Sequence, residues 1–259
     1  MFGVTRQAYY KRQKTMIQQF IEEQMIIDAV RVIRRSQPRV GTRKLHRMLN
    51  DMEFQIGRDK LFDILRKNRL LVKPPRNYKK TTNSFHRFRK YSNLIKELEV
   101  SRPNEVFVSD ITYLDTCEGF CYLALVTDLY SRKIVGWDLS RSLAIEGCQR
   151  ALRMALRGVK NPETLIHHSD RGIQYCSSGY VAILNKHQIK ISMTEENHVY
   201  ENAVAERVNG ILKSEFLLGE KLKSFQVAKE LATEATKTYN QLRLHLSLNY
   251  HTPEYRYAA

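Results

Sequence analysis

The first hundred residues carry apolar side chains at a helical spacing. Within residues 15–35, apolar residues recur every three or four positions, as they do on one face of an α-helix. Two shorter segments, 41–51 and 58–68, also carry apolar residues on one face, and a short break at 52–57 separates them. Because two short helices with a tight connection are typical of a helix-turn-helix-like unit, the pattern predicts one at about 41–68.

From residue 103 onward, the apolar positions follow the spacing of β-strands and then alternate between strands and helices. Segments rich in Val, Ile, Tyr and Phe predict five strands, at 105–114, 120–128, 133–140, 164–168 and 190–193. Helical patterns lie between the later strands, at 145–157 and 178–187. Three consecutive antiparallel strands followed by alternating helices and strands indicate an α/β domain with a mixed sheet.

Positive charge is concentrated at the front of the chain. The 259 residues include 43 Lys and Arg against 27 Asp and Glu, a formal net charge of +16. Residues 1–100 hold 24 basic and 9 acidic residues, whereas residues 101–259 hold 19 and 18. The composition changes near Ser101-Arg102-Pro103, so we predict a basic helical region at 1–72, a basic linker at 73–102 and an α/β domain at 103–259.

This basic front favours DNA binding, because Lys and Arg that contact phosphates release condensed counterions. The helical pattern turns Arg43, Lys44 and Arg47 outward. The residues that we expect to contact DNA are these three together with Arg58, Lys60, Lys79 and Lys80. The alternatives are a helical bundle whose basic residues simply face water and, for the linker, a solvated connection.

Composition excludes several other classes of protein. The longest uncharged, mainly apolar run covers only residues 119–127, which is far too short to cross a membrane. The start of the chain carries no apolar signal segment, and four Cys in a chain of this size do not form a disulfide framework. We therefore expect a cytosolic protein with reduced thiols and no membrane partner.

Three carboxylates occupy informative positions in the predicted domain. Asp110 interrupts an otherwise apolar strand, Asp170 follows the strand at 164–168, and Glu206 lies within a helical pattern. A buried acid is costly unless it is paired or coordinates a cation. Oxygen ligands without a His or Cys cluster favour Mg²⁺ or Mn²⁺, and two such ions can activate an attacking oxygen and stabilise a leaving oxygen in phosphoryl transfer.

The spacing of these acids and their neighbouring residues resembles a known family. Between Asp110 and Asp170 lie 59 residues, and between Asp170 and Glu206 lie 35. This is similar to the acidic triad of the DDE transposases and retroviral-type integrases. The motifs that resemble this family are Val-Ser-Asp-Ile-Thr-Tyr at 108–113, His-Ser-Asp-Arg-Gly-Ile-Gln-Tyr at 168–175, Asn-Ala-Val-Ala-Glu-Arg at 202–207 and the tail at 239–253. Phe107 replaces the family's usual Trp, and Glu201-Asn202 replaces Asp-Asn.

Together these motifs resemble the catalytic, second-reading-frame protein of two-frame bacterial insertion sequences. The resemblance implies a ribonuclease-H-like α/β fold, so that residues 103–259 would be an integrase catalytic core with a C-terminal helical tail. It also implies metal-dependent cleavage at the 3′ ends of an insertion element and transfer of the 3′-hydroxyl to another DNA phosphate. Asp110 and Asp170 would share one of two Mg²⁺ or Mn²⁺ ions, and Glu206 would complete the shell of the second.

Further residues are assigned roles by matching the family motifs. Lys213 lies seven residues after Glu206 on the same helical face, where the resemblance implies a contact with the DNA end; a solvated Lys is the alternative. Asn202 is expected either to cap the helix of Glu206 or to contact DNA. The residues that we expect to support the triad, with plain packing as the alternative, are His168, Ser169, Gln174 and Tyr175. We expect His167 to be structural.

The resemblance also indicates partners and leaves two rival functions open. The expected partners are double-stranded DNA, as element ends and as target, a second copy of the chain on that DNA, and an upstream-frame protein or fusion segment. The expected location is the bacterial cytoplasm, in association with the nucleoid. One rival is a catalytically inactive DNA-binding regulator. The other is a ribonuclease-H-like nuclease that hydrolyses without joining strands.

Overall fold

The computed structural model describes residues 5–73, 88–195 and 202–259. The chain divides into two compact units, Met1–Pro75 and Arg76–Ala259. The predicted DNA contacts Lys79 and Lys80 lie outside the described residues, as does much of the predicted linker. None of the described helices is both long enough and apolar enough to cross a membrane.

The first unit contains three helices that share one apolar core. They are α1 (Arg6–Ser36), α2 (Thr42–Asp51) and α3 (Arg58–Lys67). The core joins the C-terminal half of α1 to the apolar faces of α2 and α3, through Ile27, Val30, Leu45, Leu49, Leu61 and Leu65. The structure therefore contains the two short helices and the tight connection that the sequence predicts.

Helix α1 begins nine residues before the predicted start at residue 15. Thr5 caps it, because its hydroxyl accepts a hydrogen bond from the amide of Ala8 at 3.3 Å. All of residues 5–22 are exposed. Between residues 6 and 14 the only apolar residues are the consecutive Ala8, Tyr9 and Tyr10, so no helical spacing marks the start of this helix.

The predicted outward direction of Lys44 is wrong. Only 7% of the surface of Lys44 is exposed, whereas Arg43 and Arg47 are exposed as predicted. Lys44 lies four residues before the half-buried Met48 and directly before the buried Leu45. The buried stripe of α2 is therefore wider than its apolar residues alone indicate, and it includes the Lys44 side chain.

The second unit is built on a five-stranded mixed sheet, as predicted. The strands are β1 (Val106–Thr116), β2 (Gly119–Asp128), β3 (Ile134–Ser140), β4 (Ile166–Ser169) and β5 (Lys190–Met193). Their order across the sheet is β3-β2-β1-β4-β5. The first three strands pair antiparallel, and β4 pairs parallel with both β1 and β5.

Helices cover both faces of this sheet. They are α4 (Ile145–Leu156), α5 (Ile173–Cys176), α6 (Ser178–Lys186), α7 (Ala203–Glu215), α8 (Phe225–Gln241) and α9 (Pro253–Ala258). Strand β2 alternates between two cores, since Leu123 and Leu125 pack with α7 and α8 whereas Ala124 and Val126 pack with α4 and α6. Burial on both faces explains why the middle of β2, residues 120–126, is wholly apolar or aromatic.

An ion pair near the end of α7 connects this helix to the C-terminal tail. The guanidinium of Arg243, which is 3% exposed, donates to both carboxylate oxygens of Glu215 at 2.9 and 2.7 Å. The same guanidinium lies 5.7 Å from the ring centroid of the buried Tyr239. Part of the tail motif at 239–253 therefore holds the C-terminal end of α7 in place.

Replacing Arg243 by Ala is expected to destabilise the second unit by about 3 kcal/mol, because the substitution leaves a largely buried Glu215 carboxylate without its bidentate partner. Chemical denaturation monitored by circular dichroism measures this loss. The exposed pair Arg141–Glu118 provides the matched control, since Arg141→Ala should cost about 1 kcal/mol or less. Equal losses in the two variants would contradict the structural role of Arg243.

Candidate active site

Two carboxylates lie side by side where adjacent parallel strands meet. In the β1–β4 pairing, Ser109 is opposite Ser169, and each of these serines is followed directly by an aspartate. Asp110 and Asp170 therefore occupy matching positions, although β1 continues beyond Asp110 and β4 ends at Ser169. Binding sites of open α/β sheets form at such carboxyl ends of strands.

Backbone amides orient the two carboxylates. Asp110 Oδ1 accepts a hydrogen bond from the amide of Ile111 at 2.8 Å, and Asp170 Oδ1 accepts one from the amide of Gly172 at 3.0 Å. A Cβ atom at position 172 would lie 2.9 Å from Asp170 Oδ1. Glycine thus lets the backbone approach the Asp170 carboxylate closely, and this explains the Asp-Arg-Gly turn in the sequence.

Helix α7 supplies the third carboxylate of the predicted triad. Glu206 lies in the first turn of α7 and is exposed. The helix packs against β1 through Val208, Ile211 and Leu212, which share a core with Leu114. Because of this packing, the charge of Glu206 acts on Asp110 and contributes to raising its pKa.

Asn209 is a site residue that the sequence reasoning missed. Its side-chain amide donates a hydrogen bond to Asp110 Oδ2 at 2.7 Å, and the residue is only 5% exposed. Asn209 lies one helical turn after Glu206, so the two side chains share a face of α7. That spacing is the signal that could have identified it, because a polar residue three positions after a catalytic acid on a helix faces the same site.

Burial and like charge together make Asp110 hard to ionise. Burial is the largest cause and the charge of Asp170 the next, and together they raise the pKa of Asp110 from its ordinary 3.8 to about 7. The hydrogen bonds from Asn209 and Ile111 act in the opposite direction, since they stabilise the ionised form. The carboxylate is therefore held in place by donors that do not neutralise it.

Lys213 lies on the same side of α7 as these groups. It is half-buried, and burial lowers the pKa of its ammonium while the charge of Asp110 raises it. The interaction with Asp110 is in keeping with the predicted shared face of Glu206 and Lys213. A fully solvated Lys, which was the alternative, would not have its pKa lowered by burial.

Asn202 occupies the N-cap position of α7, which agrees with one of its two predicted roles, and its backbone carbonyl accepts a hydrogen bond from the amide of Glu206 at 3.1 Å. The residue precedes α7, but its side chain makes no capping hydrogen bond, and only 5% of its surface is exposed for a contact with DNA. Its amide instead donates to the backbone carbonyl of Ser109 at 3.2 Å. The side chain thus ties the start of α7 to the strand residue that precedes Asp110.

The residues around Asp170 are buried, and as consecutive residues of β4 His168 and Ser169 point to opposite faces of the sheet. His168 Nδ1 lies 2.9 Å from the hydroxyl of Ser192 on β5, and the hydroxyl of Ser169 donates to the carbonyl of Asp170 at 3.0 Å. The side chain of Gln174 donates to the carbonyl of Leu143, and the Tyr175 ring packs against His167 and Tyr180. These four predicted supports are all buried. Among the hydrogen bonds described here for these four side chains, only that of Ser169 reaches Asp170, and it is made to the backbone carbonyl.

His167 lies on the same face of the sheet as Ser109 and contacts it. Its Nε2 lies 2.8 Å from Ser109 Oγ and 2.9 Å from the Tyr180 hydroxyl. Complete burial, together with the neighbouring His168, lowers the pKa of His167 to about 3, so the imidazole is neutral. The position agrees with a structural role for this residue.

The donor chemistry at the two aspartates suits a hard cation. Their oxygens are the ligands that Mg²⁺ and Mn²⁺ prefer, and the repulsion that raises the pKa of Asp110 is what a bound cation would relieve. Within residues 5–73, 88–195 and 202–259, however, no three or more His, Cys, Asp or Glu side chains are grouped as a ready metal site. Asp110 and Asp170 fit a shared ion, and Glu206 is coupled to them by charge without completing such a group.

The exposed basic residues of the first unit that are predicted to contact DNA lie on two helices, α2 and α3. Arg43 and Arg47 are exposed on α2, and Arg58 and Lys60 are exposed at the start of α3. Arg47 pairs with Asp51 at 3.1 Å and Arg58 with Asp59 at 2.8 Å. Pairs as exposed as these are weak and can exchange their partners for phosphates.

Comparisons with known proteins agree with this arrangement. Two family models described as integrase core domains match residues 100–198 and 187–253. The chain is 34% identical over 257 residues to the insertion element IS600 uncharacterized 31 kDa protein of Shigella sonnei, covering 98% of this chain and 94% of that protein. It is also 34% identical over 213 residues to transposase InsF for insertion sequence IS3A of Escherichia coli strain K12, covering 82% and 74%.

A solved structure shares the fold. The chain is similar to a chain of the simian T-cell lymphotropic virus intasome in complex with PP2A regulatory subunit B56 gamma, with a TM-score of 0.53 and 16% identity. The match covers 85% of this chain and 71% of that chain. At this identity the likeness shows the fold alone, namely the integrase-type, ribonuclease-H-like sheet that the sequence predicts.

Replacing Asp110 by Asn is expected to raise the unfolding temperature of the protein in EDTA at pH 8. The folded state holds a proton on Asp110 up to about pH 7, whereas the unfolded chain loses it near pH 3.8. The stability of the wild type that is linked to this group therefore falls as pH rises from 4 to 7, and the neutral Asn avoids that loss. Thermal unfolding followed from pH 4 to pH 8 should show an advantage of Asp110→Asn that grows with pH.

The exposed Asp115 on the same strand provides the matched control. Asp115→Asn should leave the unfolding temperature close to that of the wild type across the same pH range. An advantage of Asp110→Asn that stayed constant, or shrank as pH rose, would show that the Asp110 carboxylate is not disfavoured in the folded protein.

Proposed function

This chain belongs to the IS3-type DDE transposases, whose core is an integrase domain, and we propose that Asp110, Asp170 and Glu206 are its catalytic carboxylates. It is a transposase, and its reaction class is DNA polynucleotidyl transfer. The observation that carries the assignment is the side-by-side placement of Asp110 and Asp170 after paired serines on adjacent parallel strands.

The proposed reaction has two phosphoryl-transfer steps. In the first, a water oxygen attacks the phosphodiester at the 3′ end of the element, and the bond to the element's 3′-oxygen breaks, so that a 3′-hydroxyl is released. In the second, that 3′-oxygen attacks a phosphorus of another DNA strand in line, and the strand's own 3′-oxygen leaves as a hydroxyl. No covalent bond between protein and DNA is needed in either step.

We propose that the carboxylates hold two divalent ions, Mg²⁺ or Mn²⁺. Asp110 and Asp170 would share one ion, and Glu206 would contribute to the second. Ions bound there would supply Lewis-acid activation of the attacking oxygen and stabilisation of the leaving oxygen. The proposal is supported by the donor chemistry and by the repulsion between the two aspartates.

The chain's own residues orient these ligands and receive the DNA. Ile111 and Asn209 hold the Asp110 carboxylate from two directions, and the amide of Gly172 holds that of Asp170. We propose that the ammonium of Lys213 contacts a phosphate at the DNA end, and the effect of the Asp110 charge on the pKa of Lys213 supports this proposal. Its partial burial makes such a charge-assisted contact stronger than one in water.

We propose that the first unit binds double-stranded DNA through the exposed Arg43, Arg47, Arg58 and Lys60. Lys44 is excluded from this set because it is buried. Lys79 and Lys80, which lie outside the described residues, remain part of the proposal on charge alone. The specific partners that we propose are element ends, target DNA, further copies of the chain and an upstream-frame protein or fusion segment. The location that we propose is the bacterial nucleoid.

Removing any one carboxylate of the triad is expected to abolish both steps while DNA binding persists. Asp110→Asn, Asp170→Asn and Glu206→Gln should each reduce cleavage and joining by about 1,000-fold or more, because the ligands act as one unit. Labelled terminal-repeat DNA incubated with the full chain and Mg²⁺ reports nicked and joined products, and a gel-shift assay reports binding. Asp115→Asn serves as the control that retains activity.

Several results would overturn this assignment. A triad variant that joins strands at the wild-type rate would remove that residue from the site. Nicking without joining by the wild-type protein would indicate a nuclease that only hydrolyses. DNA binding with neither product, under conditions in which the fold is intact, would indicate a catalytically inactive regulator.

Replacing Asn209 by Leu is expected to slow DNA cleavage by about 10- to 100-fold, as is usual when the support of a metal ligand is lost. The hydrogen bond from Asn209 lowers the pKa of Asp110, so its loss raises that pKa further. The pH profile of cleavage should therefore shift to higher pH in the variant, and the defect should shrink under alkaline conditions. A uniform loss at every pH, with a lowered unfolding temperature, would indicate a packing role instead.

A further inference from the structure

Three buried polar side chains meet behind the strands that lead to Asp110 and Asp170. They are Ser109 on β1, His167 on β4 and Tyr180 on α6, and each is at most 1% exposed. Successive residues of a strand point to opposite faces of a sheet, so Ser109 faces α6 whereas Asp110 faces α7. Because the three side chains are buried on that other face, they cannot contact DNA or an ion directly.

These three side chains form a closed hydrogen-bonding group. The imidazole Nε2 of His167 lies 2.8 Å from Ser109 Oγ and 2.9 Å from the hydroxyl of Tyr180. Burial raises the pKa of Tyr180, and a hydrogen bond with Ser109 acts against that increase. Each member therefore interacts with the other two, and such a closed network leaves its side chains few alternative positions.

Packing alone does not explain why polar residues stand at these three positions. The core around Tyr180 is formed largely by apolar side chains, among them Leu152 and Leu184. Replacing both partners of a buried hydrogen bond by apolar groups of the same shape is nearly neutral or stabilising, so the network adds little net stability. Hydrogen bonds have preferred directions, whereas apolar contacts have none. What the network adds to this core is therefore a defined geometry.

The geometry that the network defines is the position of β1 against β4. Ser109 directly precedes Asp110, and His167 lies three residues before Asp170 on the paired strand. Each of the two strands that lead to a carboxylate thus contributes one member. Sliding of one strand along the other would break the contact between Ser109 and His167 and would separate the two aspartates.

The backbone of Ser109 is held by a further element. Its carbonyl accepts a hydrogen bond from the side-chain amide of Asn202 at 3.2 Å, and Asn202 is the N-cap residue of α7. Ser109 is therefore connected to β4 and α6 through its hydroxyl and to α7 through its carbonyl. The residue before Asp110 is the point at which these three elements meet.

We propose that Ser109, His167 and Tyr180 are positioning residues, which set the separation of the Asp110 and Asp170 carboxylates and thereby the affinity of the site for a divalent cation. The inference rests on the proposed role of the two aspartates as metal ligands. Metal ligands must be held to within about 0.5 Å, and loss of a group that supports them commonly weakens metal binding by about 10- to 100-fold. The three residues act on the ion through the strands and do not touch it.

Binding of Mn²⁺ to the full chain without DNA tests this inference, with the free ion measured by its electron paramagnetic resonance signal. Tyr180→Phe removes one hydroxyl and keeps the ring, and Ser109→Ala removes the other hydroxyl. Each variant should raise the dissociation constant for Mn²⁺ about 10-fold, because β1 is then less firmly fixed against β4.

Tyr239→Phe provides the matched control. Tyr239 is as buried as Tyr180, but it belongs to the core on the other face of the sheet, and its hydroxyl donates to the carbonyl of Arg132 at 3.0 Å. This variant loses the same kind of group from an equally buried position. Its unfolding temperature should fall about as much as that of Tyr180→Phe, whereas its affinity for Mn²⁺ should stay that of the wild type.

The possible results separate this inference from the proposed function. Wild-type affinity for Mn²⁺ in a folded Tyr180→Phe variant, or an equal loss of affinity in Tyr239→Phe, would overturn the positioning role and leave the metal site in place. Affinity for Mn²⁺ that is unchanged by Asp110→Asn would remove the metal site itself, and the inference would be overturned with it.

A double-mutant cycle tests whether the residues act as one network. Ser109→Ala and Tyr180→Phe both act through the imidazole of His167, so the double variant should bind Mn²⁺ only slightly more weakly than either single variant. Effects that simply multiply would show two independent contributions and would overturn the network.

The dependence of DNA cleavage on Mg²⁺ provides a second readout. In Tyr180→Phe, the Mg²⁺ concentration that gives half-maximal cleavage of labelled terminal-repeat DNA should rise about 10-fold, whereas the rate at saturating Mg²⁺ should remain within about two-fold of the wild type. A lowered rate at saturating Mg²⁺ with an unchanged half-maximal concentration would overturn the proposed effect on metal affinity.

Discussion

The catalytic unit depends on holding two negative charges together at adjacent strand ends. Like charges at short range repel strongly where water is scarce, and a buried carboxylate is costly even alone. The pairing of β1 with β4 nevertheless places Asp110 and Asp170 in matching positions, and burial together with the charge of Asp170 raises the pKa of Asp110. A neutral pair at these positions would avoid this repulsion, whereas two carboxylates keep oxygen donors of the kind that divalent cations prefer.

The neighbouring structure holds these carboxylates without cancelling their charge. The donors to Asp110 are a backbone amide and the Asn209 amide, which are neutral groups that orient an anion but leave it available. Helix α7 carries both Asn209 and Glu206, so its position decides whether the site is assembled. Asn202 ties the beginning of α7 to Ser109, and the Glu215–Arg243 pair ties its end to the tail. Residues far along the chain thus fix the geometry at Asp110.

Much of this fold could be predicted from the sequence, because the relevant signals are local. The five strands and the helices between them follow from periodicity, and the positions of the acids on them follow by counting. Asn209, the Glu215–Arg243 pair and the burial of Lys44 could not be predicted in this way. Each depends on which elements pack together, and the sequence does not indicate which partner a polar residue within a helix will contact. The start of α1 could not be predicted either, because residues 6–14 carry no apolar residues at a helical spacing.

Lys213 is a basic residue close enough to Asp110 for the charge of that carboxylate to affect its pKa. An ammonium close to Asp110 is itself a cation and would compete with a metal ion for the same carboxylate. Burial lowers the pKa of Lys213, whereas the charge of Asp110 opposes that effect. A DNA phosphate arriving at the site would offer the ammonium a second anion.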